Sequence, residues 1–160
     1  MFILFIAGCK NPFAPSLDFN FGNQSATLSD QKTIEGVFQN FQYAYTFKDT
    51  TIYGRLIDYS FTFTYLDYDL GYNVSWGRDD EMKTTYGLFQ NSQRLDLIWN
   101  NIVMATEDST TATIVRGFNL TVTFTPTDVI RIDGRVNMSL RKDPSSQKWL
   151  ITNWIDQSNF

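Results

Sequence analysis

A chain of 160 residues with a formal charge of −4 and no histidine excludes several function classes at once. Histidine triads, histidine metal sites and histidine general bases are ruled out, and no basic run exceeds Arg141-Lys142, so the electrostatic footprint of a nucleic-acid binder is missing. The apolar share of 42%, with fourteen Phe, eight Tyr and four Trp, predicts a single aromatic-rich core; a chain of this size buries about 68–70% of its unfolded surface, enough to fold without disulfide, metal or cofactor.

Taken in chain order, the first element is an apolar run, Phe2-Ile3-Leu4-Phe5-Ile6, followed by Ala7-Gly8-Cys9. The run is far shorter than the ~20 residues that span a bilayer, but it suits the apolar region of a signal peptide. Ile6-Ala7-Gly8-Cys9 resembles the lipobox of bacterial lipoprotein precursors. That resemblance implies a signal peptide over residues 1–8, cleavage before Cys9, lipidation of Cys9 and a membrane as partner. The competing reading is an edge strand over residues 1–9 with a buried free thiol. Such signals open on Lys or Arg, whereas Phe2 follows Met1 here, so a start codon further upstream is expected. Two or more acyl chains anchor stably, at ~0.8 kcal/mol per buried CH₂. Lys10, where an Asp would resemble an inner-membrane retention signal, favours the periplasmic side of the outer membrane. Residues 9–32, with Pro12, Pro15 and Gly22 among many Asn, Gln and Ser, read as the lipidated Cys and a tether.

From Thr33 to the end of the chain, residues 33–160, the pattern is that of one folded domain. Ile34, Val37, Phe38, Phe41 and Tyr45 recur at helical spacing behind Thr33 as N-cap, with Glu35 in the first turn. Asp49 is placed to cap a short second helix carrying Ile52 and Leu56. Ser60 to Tyr65 then alternates Phe61, Phe63 and Tyr65 against Ser60, Thr62 and Thr64, a strand pattern. A Gly- and Tyr-containing loop follows. Asp79, Asp80 and Glu81 open a third helix with Met82, Tyr86 and Phe89 at helical spacing. Leu95 to Thr106, Thr111 to Phe124, Val129 to Lys142 and Trp149 to Gln157 read as strands of one antiparallel sheet. Gly134 interrupts an apolar row and predicts a bulge or bend that curves it.

This order of elements resembles the nuclear transport factor 2-like superfamily, which includes polyketide cyclases and ketosteroid isomerases. Three local features carry the resemblance: Thr33-Ile34-Glu35-Gly36-Val37-Phe38, the break Phe47-Lys48-Asp49-Thr50 ahead of Leu56-Ile57-Asp58-Tyr59-Ser60-Phe61, and the closing Trp149-x-Ile151-x-x-Trp154-x-Asp156. It implies an α+β cone: a strongly curved antiparallel sheet wrapped around about three helices, with a pocket at the open end. Trp76-Gly77-Arg78-Asp79 before the third helix is similar to a subgroup of lipoproteins with this fold.

Isomerases of this fold place a carboxylate on the strand after the second helix, with a Tyr or protonated acid as oxyanion donor. Here that strand has no acid before Asp67. Asp58, Asp67, Asp69 and Asp156 are the remaining base candidates, and Tyr45, Tyr65 and Tyr86 the donors. Asp58 reads first as a turn residue, Asp67 and Asp69 as a solvated loop. Asp156 reads first as the partner of Arg131, Arg135 or Arg141 across the sheet, and second as a group at the cavity mouth. The expected pocket comprises Tyr45, Tyr65, Trp76, Tyr86, Phe89, Trp99, Trp154 and Asp156, with no metal. The favoured function is a non-catalytic envelope lipoprotein that binds a small apolar ligand or docks a partner. The alternative is a cyclase- or isomerase-like enzyme using an Asp base and a Tyr donor. A homodimer through the outer sheet face, around Arg131, Arg135 and Arg141, is compatible with both.

Overall fold

The computed structural model describes residues 27–158. The expected signal peptide, Cys9 and the tether up to residue 26 lie outside the described residues. Helix α1 (Ile34–Phe47) starts where Thr33 accepts a hydrogen bond from the Gly36 amide, and it ends at Lys48, whose left-handed backbone sends its N–H back to Ala44 and Tyr45. Asp49 caps α2 (Thr50–Leu56) by accepting from the Thr51 and Ile52 amides at 2.9 Å each. The α1 residues expected to face inward, Ile34, Val37, Phe38, Phe41 and Tyr45, are all buried.

The chain continues through β1 (Ile57–Asp67), β2 (Tyr72–Gly77), α3 (Arg78–Asn91), β3 (Arg94–Glu107), β4 (Thr111–Thr125), β5 (Asp128–Lys142) and β6 (Trp149–Ser158). Among the described residues, three helices pack on the concave side of one curved six-stranded sheet, the expected α+β cone. The strand order is β2-β1-β6-β5-β4-β3. Two details differ from expectation. The Gly- and Tyr-containing stretch contains β2, paired antiparallel to β1 from Thr62↔Gly77 to Asp67↔Tyr72. The sheet is also mixed, because β1 runs parallel to β6. Their direction follows from the two hairpin systems that meet there, and no local pattern encodes it.

Gly134 differs too. The β4–β5 register runs unbroken through Phe118↔Gly134, so there is no bulge. A Cβ at Gly134 would stand 2.4 Å from Ser158 Cα, so glycine is present because the end of β6 passes against it. The packed domain also begins earlier than residue 33. Ser29 and Asn40 exchange two hydrogen bonds, and buried Gln31 bonds Arg55 O, Trp149 O and the Trp149 amide. Residues 29–31 are thereby sewn to α1, α2 and β6.

The core is built from stacked and crossed rings. Phe41 alone meets Tyr45, Tyr53, Trp99 and Trp154 at centroid distances of 4.9 to 5.5 Å. Trp99 packs edge-on against Phe38 and donates its indole N–H to Phe38 O at 3.0 Å, fastening β3 to α1. Strand alternation then divides the sheet: Val136, Met138 and Leu140 are buried while Arg131, Asp133 and Arg135 face water.

Candidate functional site

The helices do not fill the cone completely. A cavity of about 410 Å³ remains, walled by every element of the fold except α2. Tyr45 enters from α1, Phe63 and Tyr65 from β1, and Trp76 from β2. Glu81, Thr85 and Leu88 come from α3; Leu97 and Trp99 from β3 close the far side with Phe118 and Leu120 from β4 and Ile132 and Val136 from β5. Trp154, Asp156 and Ser158 of β6 complete it. The period-2 alternation of β6 explains the last set, since residues 154, 156 and 158 share one face. Phe63 stacks on Trp76 at 4.6 Å and meets Trp154 edge-on at 5.1 Å, making one continuous aromatic wall.

Of the expected pocket residues, Tyr45, Tyr65, Trp76, Trp99, Trp154 and Asp156 line this cavity. Phe89 does not; it is core, edge-on to Tyr45 at 5.3 Å. Tyr86 is 55% exposed, because helical periodicity turns it away from the side that carries Glu81, Thr85 and Leu88.

The acids redistribute more sharply. Asp58 is buried outside the cavity; its Oδ1 accepts from the Ser60 amide and hydroxyl, and its Oδ2 from Arg141 at 2.5 Å. Burial opposes its ionisation, but those Ser60 and Arg141 bonds outweigh burial and hold it below the ordinary carboxylate range. It is therefore a closed ion pair rather than an available base. Asp67 caps the β1–β2 turn through the Asp69 and Leu70 amides, and Asp69 is exposed beside it. Neither lines the cavity.

Asp156 faces inward and does not pair with Arg131, Arg135 or Arg141. In register it sits opposite Val136, on the buried side of β5, whereas Arg131 and Arg135 project from the opposite side and Arg141 is taken by Asp58. Its Oδ2 accepts from the Ser158 hydroxyl at 2.6 Å. Burial raises its pKa, opposed in part by hydrogen bonds from Ser158 and Gln157.

Glu81 is the cavity-lining acid that reading the sequence as a helix-start charge missed. It is 4% exposed and accepts three hydrogen bonds: from the Tyr53 hydroxyl at 2.5 Å, Trp76 Nε1 at 2.7 Å and the Thr85 hydroxyl at 3.0 Å. The signal was present in the spacing Glu81, Thr85, Leu88, Phe89, which places this acid on the inward stripe while Asp79 and Asp80 face out. Burial, reinforced by the negative charges of Glu81 and Asp156, holds the Tyr45 hydroxyl well above its usual range. Tyr45 thus keeps its proton and faces the cavity as a hydrogen-bond donor. Trp154 Nε1 is buried with no acceptor among the described residues.

Among the described residues no Lys or Arg lines the cavity, and there is no cluster of three metal-ligating side chains. Among the described residues no helix is long and apolar enough to cross a membrane. The arrangement can enclose a flat apolar molecule, present it with Tyr45 as donor, and set two carboxyl groups into largely apolar walls.

No family model and no curated protein sequence match the chain. Solved structures match in fold. A conserved protein from Planctomyces limnophilus is 12% identical with a TM-score of 0.70, over 81% of this chain and 95% of that one. A candidate scytalone dehydratase from Novosphingobium aromaticivorans is 14% identical with a TM-score of 0.69, over 84% and 87%. A candidate dehydratase of the nuclear transport factor 2-like (NTF2-like) family from Streptomyces avermitilis is 13% identical with a TM-score of 0.62, over 79% and 94%. At these identities the likeness is one of fold: residues 27–158 adopt the nuclear transport factor 2-like fold.

Proposed function

We propose that this protein holds a small, largely apolar molecule inside its cone, without chemical turnover, as an envelope lipoprotein anchored through Cys9 at the outer membrane. The cavity carries the binding part of this reading: its aromatic walls enclose a volume at the lower end of the 300–1,000 Å³ typical of ligand sites. The lipobox-like Ile6-Ala7-Gly8-Cys9 supports the anchor. The engagement of the acids supports the non-catalytic role, since Asp58 is spent on Arg141, Asp67 on a turn, and Glu81 already accepts three hydrogen bonds.

One observation favours a second reading. Asp156 and Tyr45 face the same apolar cavity, the pairing of raised acid and fixed donor that proton-transfer enzymes use, and two structural relatives bear dehydratase names. In that case Asp156, not Asp58 or Asp67, is the base. Mass spectrometry of the protein from a native membrane fraction, beside Cys9→Ser, tests the first reading. It expects an acylated Cys9 and one co-purifying small molecule released unchanged on denaturation. An unmodified Cys9 refutes the anchor; a released molecule that the protein converts on re-addition, with conversion lost in Asp156→Asn, refutes the non-catalytic role.

A further inference from the structure

The charge of the cavity narrows the ligand class. Two carboxyl groups, Glu81 and Asp156, open into a largely apolar wall whose other polar side chains, Thr84, Thr85, Ser158 and two tyrosines, carry no charge, and among the described residues no Lys or Arg lines it to neutralise them. An anionic ligand would meet negative groups without a counter-charge, and fatty-acid-like carboxylates are disfavoured on that ground alone. A cation meets the reverse. The faces of Trp, Tyr and Phe carry negative potential, and a desolvated ammonium gains most from Trp. Trp76, Trp99 and Trp154 all contribute to the wall, with Phe63 bridging two of them at 4.6 and 5.1 Å.

The two acids differ in how they are held. Glu81 has both oxygens engaged, Oε1 by Tyr53 and Thr85 and Oε2 by Trp76, so it contributes charge from behind the wall. Asp156 accepts from the Ser158 hydroxyl through Oδ2 and from the Gln157 and Ser158 backbone N–H groups, and its carboxyl lines the cavity with no Lys or Arg beside it among the described residues.

We infer that the cavity selects a hydrophobic cation, a protonated or quaternary amine on an aromatic or aliphatic body, seated against the tryptophan faces with its charge beside Asp156. This rests on the reading of the cone as a ligand-binding site and goes beyond it in naming the charge of the ligand. Burial raises the pKa of Asp156, so the carboxylate is held at a disadvantage that a bound cation relieves.

Calorimetric titration of the full chain carrying Cys9→Ser, which removes acyl chains that could compete for the cavity, tests it with three probes of one shape. They are benzyltrimethylammonium, its uncharged carbon isostere neopentylbenzene, and 2,2-dimethyl-3-phenylpropanoate. The cation is expected to bind at least about tenfold more tightly than the neutral isostere, with no measurable binding of the anion. Asp156→Asn is expected to remove most of that preference while leaving the neutral probe's affinity within about twofold. Equal or tighter binding of the neutral probe, or a preference untouched in Asp156→Asn, overturns the cation inference and leaves the apolar site standing. Failure of all three to bind overturns both.

Discussion

Tyr53→Phe isolates one hydroxyl. Tyr53 is fully buried, and its ring packs against Phe41, Tyr45 and Phe89 at 5.3 to 6.3 Å, contacts that phenylalanine preserves. The change removes the 2.5 Å donor to Glu81 Oε1 and leaves a 96% buried carboxyl with two donors instead of three. A hydrogen bond to a charged group contributes about 1.5–3 kcal/mol, and water has little access to replace this one. Urea unfolding followed by circular dichroism should show that loss with an unchanged denaturant slope. At roughly 4 °C per kcal/mol for a domain of this size, the midpoint of thermal unfolding should fall by roughly 6–12 °C. A double-mutant cycle with Glu81→Gln should be non-additive by more than about 0.5 kcal/mol. A loss below about 0.5 kcal/mol in Tyr53→Phe, or strict additivity, refutes the claim that Glu81 is a buried carboxylate held by this network.

Arg141→Met should destabilise by about 1–3 kcal/mol at neutral pH, below the 3–5 kcal/mol typical of a fully buried pair because the Arg141 side chain is 40% exposed. Asp58 is depressed below its ordinary value of 3.8, so the stability it contributes is complete above that pH and disappears as pH falls through the folded pKa. The difference between wild type and Arg141→Met should therefore shrink in acid unfolding curves; a gap that widens below pH 3.8 contradicts the pairing. Asp156 has the opposite sign, with its pKa raised, so Asp156→Asn should be more stable than wild type at neutral pH. That advantage should fade as pH falls towards 3.8, and a destabilised Asp156→Asn at pH 7 counts against its placement. Gly134→Ala forces a Cβ into the backbone of Ser158 and should cost about 1–3 kcal/mol, with hydrogen exchange accelerating at the end of β6; unchanged exchange there contradicts the close approach.

Local order in this protein is written locally. The inward stripe of α1, the caps at Thr33 and Asp49, and the two-faced alternation of β4 and β5 each depend on residues within a few positions of one another, and all appear in the fold as the pattern implies. The break Phe47-Lys48-Asp49-Thr50 and the closing Trp149 to Asp156 strand were legible for the same reason. Even Glu81 carried its signal, in an i, i+4, i+7 stripe, though the charge-rich start of α3 offered a simpler explanation of the same residue.

What sequence alone determined, then, was the composition of each element and which face of it is apolar, because helical and strand periodicities are properties of neighbouring residues. Only the tertiary structure decided that β1 runs parallel to β6, that Gly134 accommodates Ser158, that Arg141 reaches Asp58 across 83 positions, and that Asp156 turns inward beside Tyr45. Those facts depend on which side chains meet once a curved sheet closes on its helices. Asp156 shows the reason most directly: the alternation of β6 put it on the face of Trp154, but the register against β5 decided that it met Val136 and the cavity rather than an arginine.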